Sequence, residues 1–169
     1  MSALPPEPQA SRPHMPGYGI AGPDSGTGLL PWSWAVERLT ASHDYWLATV
    51  GADRRPHVMP VWGVWLEGAV WFSSGLQSRK ARHLAGQAAC TLTTDDAQQP
   101  VVVEGAAERV TEPDRLQVFA AAVDAKYDTD YGVEFYDPAV NGVWRIAPAW
   151  AFGLVQDDFS GSPTRWTFG

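Results

Sequence analysis

A mostly β domain with flanking helices, closed into a small antiparallel barrel, is what this sequence predicts. Three observations carry that expectation. Runs of apolar, β-branched and aromatic residues of strand length recur from residue 45 to residue 168, and Gly-, Pro- and Asp-containing turns separate them. Helical spacing appears in only three stretches. The strands follow one another as a meander, with one helix inserted after the third strand and another after the fifth, which favours a closed barrel over stacked layers.

Residues 1–28 are rich in Pro and Gly, a composition that does not repay its ordering entropy by burial. They are expected to form a flexible tail ahead of a single domain at 29–169. Pro31 to Leu39 reads as a short helix with Trp34, Ala35 and Leu39 on its apolar side. Tyr45 to Val50 is a strand, and Gly51 to Arg55 a turn. Pro56 to Leu66 is a long strand, Glu67-Gly68 a tight hairpin turn, and Ala69 to Ser74 the return. In the long strand, Val58, Trp62, Val64 and Leu66 share one face; His57, Met59, Val61 and Trp65 share the other. Both faces are apolar, so the strand is expected to be buried on both sides. Pro60 removes a ladder donor from its middle, which suggests an edge, a bulge or an opening.

A helix runs from Ser78 to about Gly86. Ala88 to Thr93 and Val101 to Val110 are strands either side of a polar loop. Thr111-Glu112-Pro113-Asp114 opens a longer helix whose buried stripe is Leu116, Phe119, Val123 and Tyr127. After a loop-rich stretch from Asp128 to Asn141, Gly142 to Ala147, Trp150 to Val155 and Thr164 to Phe168 are the closing strands.

The chain has 169 residues, enough for one domain with a real core. Twelve Lys and Arg stand against 19 Asp and Glu, for a net charge of −7, which argues against a general nucleic-acid binder. Cys90 is the only cysteine, so there is neither a disulfide framework nor a thiolate metal cluster. No His, Asp or Glu set has zinc spacing, and no metal is expected. No apolar run approaches membrane-spanning length, and the first residues lack a signal peptide's apolar centre. The expectation is a cytoplasmic protein with no membrane partner. Nine tryptophans are many for this length; they serve either packing or a surface for a flat, conjugated ligand.

The stretch from Val70 to Leu84 carries the clearest functional signal. It reads as a strand, a small-residue turn and a helix that opens Ser78-Arg79-Lys80, with Arg82 close behind. A helix N-terminus presents unpaired N–H groups and the positive end of its dipole. A hydroxyl and two or three cations added there make a receptor for phosphate. The alternatives are a solvated basic face for Arg79 and Lys80, and a plain N-cap for Ser78, which is compatible with phosphate contact.

Taken in order and spacing, several fragments resemble the pyridoxamine 5′-phosphate oxidase-like superfamily of split β-barrel flavoproteins, and within it the branch that uses the deazaflavin F420. They are Trp46-Leu47-Ala48-Thr49-Val50-Gly51, Pro56-His57-Val58-Met59-Pro60-Val61-Trp62, Trp71-Phe72-Ser73-Ser74-Gly75, Ser78-Arg79-Lys80-Ala81-Arg82-His83-Leu84, Val103-Glu104-Gly105 and Thr164-Arg165-Trp166. The resemblance covers about residues 33–169. It implies a homodimer with two cofactor sites at the subunit interface. Ser78, Arg79 and Lys80 match the family's phosphate-binding segment. His57, Val58, Met59, Pro60, Val61 and Trp62 match the strand that lies along the isoalloxazine-type ring. Ser73 and Ser74 match the strand end that meets the ribityl or phosphate portion. The partner subunit is expected to supply aromatic and C-terminal residues, here Trp144, Arg145, Phe152 and Arg165.

The chain also departs from that pattern. No Arg-x-His occurs after residue 140, which removes the grip on pyridoxal that vitamin B6 oxidation needs. Trp62 stands where flavin oxidases of the superfamily have a long basic side chain that helps hold FMN, which favours F420. Thr167 interrupts a basic C-terminal pattern of relatives. The resemblance therefore implies an F420-binding oxidoreductase that passes hydride between the deazaflavin and a small conjugated acceptor such as an enone, a quinone or a tetrapyrrole. The alternatives are an FMN-dependent oxidoreductase of the same fold and a non-catalytic binder or carrier of F420, FMN or haem. Such a cofactor carries the hydride itself, so no acid–base pair is required and no catalytic residue is assigned.

Overall fold

The computed structural model describes residues 7–169, so the first six residues of the expected tail lie outside the described residues. The strands are β1 (Gln9–Ser11), β2 (Asp44–Val50), β3 (Pro56–Leu66), β4 (Ala69–Gly75), β5 (Ala89–Thr94), β6 (Val101–Val110), β7 (Asn141–Ile146), β8 (Trp150–Gly153) and β9 (Thr164–Thr167). Three α-helices join them: α1 (Trp32–Ala41), α2 (Arg79–Gly86) and α3 (Pro113–Tyr127). Among the described residues no helix is long and apolar enough to cross a membrane.

The mostly β class and the closed barrel expected from the sequence are both present. Six strands close the ring β2–β3–β4–β7–β6–β5, each pair antiparallel. Two long strands are shared between the halves of the barrel. β3 pairs with β2 from Pro56 to Trp62 and with β4 from Gly63 to Leu66. β6 pairs with β8 from Val101 to Glu104 and with β7 from Ala107 to Val110. This double use splits the barrel. At the β3–β4 hairpin, Glu67 and Gly68 both adopt positive φ, 51° and 72°. That two-residue geometry matches the right-handed twist of the strands it joins.

Two cores hold the strands in place. Inside the barrel, Tyr45, Leu47, Leu92, Val103 and Trp166 are fully buried, and α1 caps them with Ala35 and Leu39. Trp34 of α1 lies half-buried with its ring stacked on Trp166, centroids 6.4 Å apart. On the other side, α3 lays Leu116, Phe119, Ala120 and Val123 over β4 and β7, where Phe119 stacks on Trp71 at 6.2 Å. Pro113 starts this helix at a position where the missing N–H costs nothing.

Two findings differ from the sequence reading. The described part of the expected tail contains β1, which pairs with the edge of β9. Arg12 follows it, and its guanidinium donates to the carbonyls of Gly22, Ser25, Gly161 and Pro163 at 2.8–3.0 Å. Composition does not reveal the reason, which is the free strand edge on β9. The second difference is β3. It is not buried on both sides: Val58 is 51% exposed, Met59 42% and Trp62 44%, while only Val61, Gly63 and Val64 are closed off. The apolar alternation described two covered faces, but a single chain covers only the second half of the strand.

Candidate functional site

The site grows from the junction of β4 and α2. Ser78 has an extended backbone (φ −66°, ψ 153°) and turns the chain into the helix. Its hydroxyl accepts from the Ala81 N–H at 3.2 Å, as an N-cap does. Ser74, at the end of β4, sits 2.9 Å from it, oxygen to oxygen. Arg79 and Lys80 follow within the first turn. Among the described residues no carboxylate pairs with Arg79, Lys80 or Arg82, although acids outnumber bases in the chain. Unpaired cations beside a capped helix start are chemically suited to an anion.

β3 passes this cluster at its first residues. His57 lies opposite Thr49 in the ladder. The Thr49 hydroxyl contacts His83 Nδ1 of α2 at 3.0 Å, and the His57 and His83 rings meet edge to face with centroids 5.6 Å apart. Burial, together with the charges of Arg79, His83 and Lys80, holds His57 below the ordinary histidine range. Behind the pair, α2 and the β2–β3 turn enclose a cleft of about 720 Å³ lined by Arg54, Arg79, Arg82, His83 and Asp53.

From Pro56 to Trp62, β3 is paired with β2 on one side only, because β4 joins it at Gly63. Its other edge there has no strand partner among the described residues. Pro60 sits in that open stretch, where its missing N–H is tolerated. The edge has a fixed end. Gly63 N–H donates to the Tyr127 hydroxyl at 2.8 Å, and Lys126 Nζ donates to the Gly63 carbonyl at 2.7 Å and the Ser42 carbonyl at 2.6 Å. Burial pushes the Lys126 ammonium down to about 8. The Trp62 ring lies flat on Tyr127, 4.2 Å away and within 2° of parallel.

The structure thus gathers His57, Ser74, Ser78, Arg79 and Lys80 at one end of the barrel, with Ser73 one residue back on β4 and the open edge through Val58, Met59, Pro60, Val61 and Trp62 adjoining it. Of the residues expected from a partner subunit, this chain's own Arg145 and Arg165 lie elsewhere, while its Trp144 borders α2 beside Ala81, Arg82 and Leu84. Trp144 is 5% exposed and stacked on Phe72 at 5.5 Å. Arg145 pairs with Glu108 at 2.7 Å, on the sheet face that carries Trp71. Arg165 is opposite Phe152 in the β8–β9 ladder, on the outer face that also carries Trp46 and Trp62. Sequence reasoning missed Arg54, which lines the cleft from a turn where its own φ is 62°, and the Lys126–Tyr127 anchor, in which Tyr127 read only as part of a packing stripe.

What this arrangement can hold is an anionic headgroup at Ser78, Arg79 and Lys80, joined to a flat apolar body along an unpaired strand edge. The donor set and the open edge both fit such a group.

A family model described as pyridoxamine 5′-phosphate oxidase matches residues 35–154. Among solved structures, a conserved hypothetical protein from Mycobacterium tuberculosis is 24% identical, with 72% of this chain and 82% of that chain covered and a TM-score of 0.63. An F420 reductase is 23% identical over 68% of this chain and 93% of its own, with a TM-score of 0.56. A nimC/nimA family protein from Clostridium acetobutylicum is 17% identical over 79% and 90%, with a TM-score of 0.63. At these identities the likeness to each is one of fold. No curated protein matches the chain.

Proposed function

The chain belongs to the pyridoxamine 5′-phosphate oxidase family, and on that premise we propose that it is an oxidoreductase that binds the deazaflavin F420 and exchanges hydride with a small conjugated acceptor. The observation that carries this reading is the unpaired Arg79–Lys80 pair at the Ser78-capped start of α2, beside the one-sided stretch of β3. A likeness of fold to a protein described as an F420 reductase supports the choice of cofactor, as does Trp62 in place of a long basic side chain.

The cofactor would supply the hydride carrier. The chain's own residues bind and aim it. Ser78, Arg79 and Lys80 hold its phosphate through charge-assisted hydrogen bonds, with Ser73 and Ser74 beside the polar stem. The Val58–Trp62 edge offers backbone groups to the rim of the ring. Trp62, held flat against Tyr127, gives that edge a rigid apolar end that keeps water from the reacting face.

The same reading includes a homodimer. Val58, Trp62 and Trp46 are exposed on the outer face of the sheet, where Phe152 and Arg165 also lie. An apolar sheet face of this kind is suited to a second copy, and packing there sets Phe152 and Arg165 of one subunit near the open edge of the other.

The test is a titration of the purified protein with F420 and with FMN, followed by fluorescence and absorbance, and then oxidation of reduced F420 by a panel of enones and quinones. Tight F420 binding with turnover is the expected result. FMN binding alone would reassign the cofactor, and F420 binding without turnover on any acceptor would make the protein a carrier. Arg79→Ala combined with Lys80→Ala is expected to weaken cofactor binding by about 1.5–3 kcal/mol for each charge-assisted hydrogen bond removed. Unchanged affinity in that variant overturns the site.

A further inference from the structure

We infer that the anion site takes up a proton when it is filled, and that the His57 imidazole holds it. This rests on the reading above, in which a phosphate group docks at Ser78, Arg79 and Lys80.

His57 stands at the start of β3, opposite Thr49 and edge to face with His83. From α2 it faces Arg79, Lys80 and His83, with Arg82 on the adjoining turn. From the β2–β3 turn come Arg54, Arg55 and Asp53. Asp53 is the only carboxylate in this set, and it is engaged by Arg55, through its N–H at 3.2 Å and its Nε at 3.7 Å. From β2 the facing residue is Thr49, which carries no charge and is already bonded to His83. His57 therefore sits among cations, and among the described residues its ring has no hydrogen-bond partner. His83 differs in having Thr49 as a fixed partner. In the free protein a further positive charge on His57 is disfavoured, in keeping with its lowered proton affinity.

A phosphate group reverses the sign of that field. It brings negative charge to the residues that repel a proton from His57. The imidazole then gains by protonation, and the filled site binds one more proton than the empty one. By linkage, affinity rises as pH falls through the histidine range. The site thereby senses the charge of the headgroup, which an uncharged ring system does not supply.

The experiment follows the His57 ring by NMR from pH 4.5 to 8.5, in the free protein and with saturating F420, with FMN in parallel. The ring is expected to titrate at higher pH in the filled protein. The dissociation constant is expected to fall by about threefold to tenfold from pH 8 to pH 5.5, since a pKa moved by one is worth tenfold in affinity. His57→Gln should lose most of that dependence, whereas His83→Gln should keep it. The glutamine variant also removes from the comparison any titration of the ligand itself. An unmoved His57 signal on filling, or an equal pH dependence in His57→Gln, overturns the inference and leaves the phosphate site standing. Failure of both cofactors to bind at every pH overturns the site and this inference together.

Discussion

The two halves of β3 are built from similar residues and live in different surroundings. From Gly63 to Leu66 the strand is joined to β4, and Val64 is buried beneath α3 in the cluster that contains Trp71 and Phe119. From Pro56 to Trp62 it is joined only to β2, and Val58, Met59 and Trp62 are exposed. The covered half contributes stability. The open half keeps a strand edge and apolar surface available to a ligand or a second copy. Gly63 separates the two, its N–H and C=O both tied to the end of α3. A Cβ there would stand 2.8 Å from the Trp71 carbonyl, so the crossing point of the split barrel has no room for a side chain. The lesson is that apolar alternation in one strand serves two ends, and pairing decides which.

That contrast can be broken by substitution, beginning with the covered half. Phe119→Ala removes a ring that is 1% exposed and stacked on Trp71, and is expected to cost about 3–5 kcal/mol in chemical denaturation. Cofactor affinity below the lowered melting temperature should be unchanged, and a parallel loss would show that the halves are not independent. Lys126→Met acts on the hinge between them. It deletes two short donations to carbonyls and is expected to cost about 1.5–3 kcal/mol, with an added loss of affinity as the end of the open edge loosens. Equal affinity would confine Lys126 to a stabilising role. Val58→Ser tests the open half and should change monomer stability by no more than about 0.5 kcal/mol. It should weaken self-association in sedimentation velocity runs, and a large loss of monomer stability would mean that Val58 is core after all.

Much of the local structure was legible in the sequence. Pro56–Leu66 and Val101–Val110 have the expected ends, because turn residues bound them and β-branched and aromatic residues fill them. Ser78 was legible as an N-cap, and the cations behind it as the first turn of a basic helix. Trp144 and Arg145 fall on a predicted strand, and only the closed barrel shows the neighbours each meets within the chain, Phe72 and Glu108.

What the sequence determined alone is the set of elements, their order and the basic helix start, since each depends on residues within a few positions of one another. Tertiary structure decided that β3 leaves β2 at Gly63, that β1 closes the β9 edge, and that His57 meets His83 and the α2 cations. Those outcomes depend on register between strands far apart in the chain, and on which edges and charges find partners once the barrel closes. Side-chain periodicity says which residues share a face. Only the closed ring of strands says whether that face, or the edge beside it, is left free.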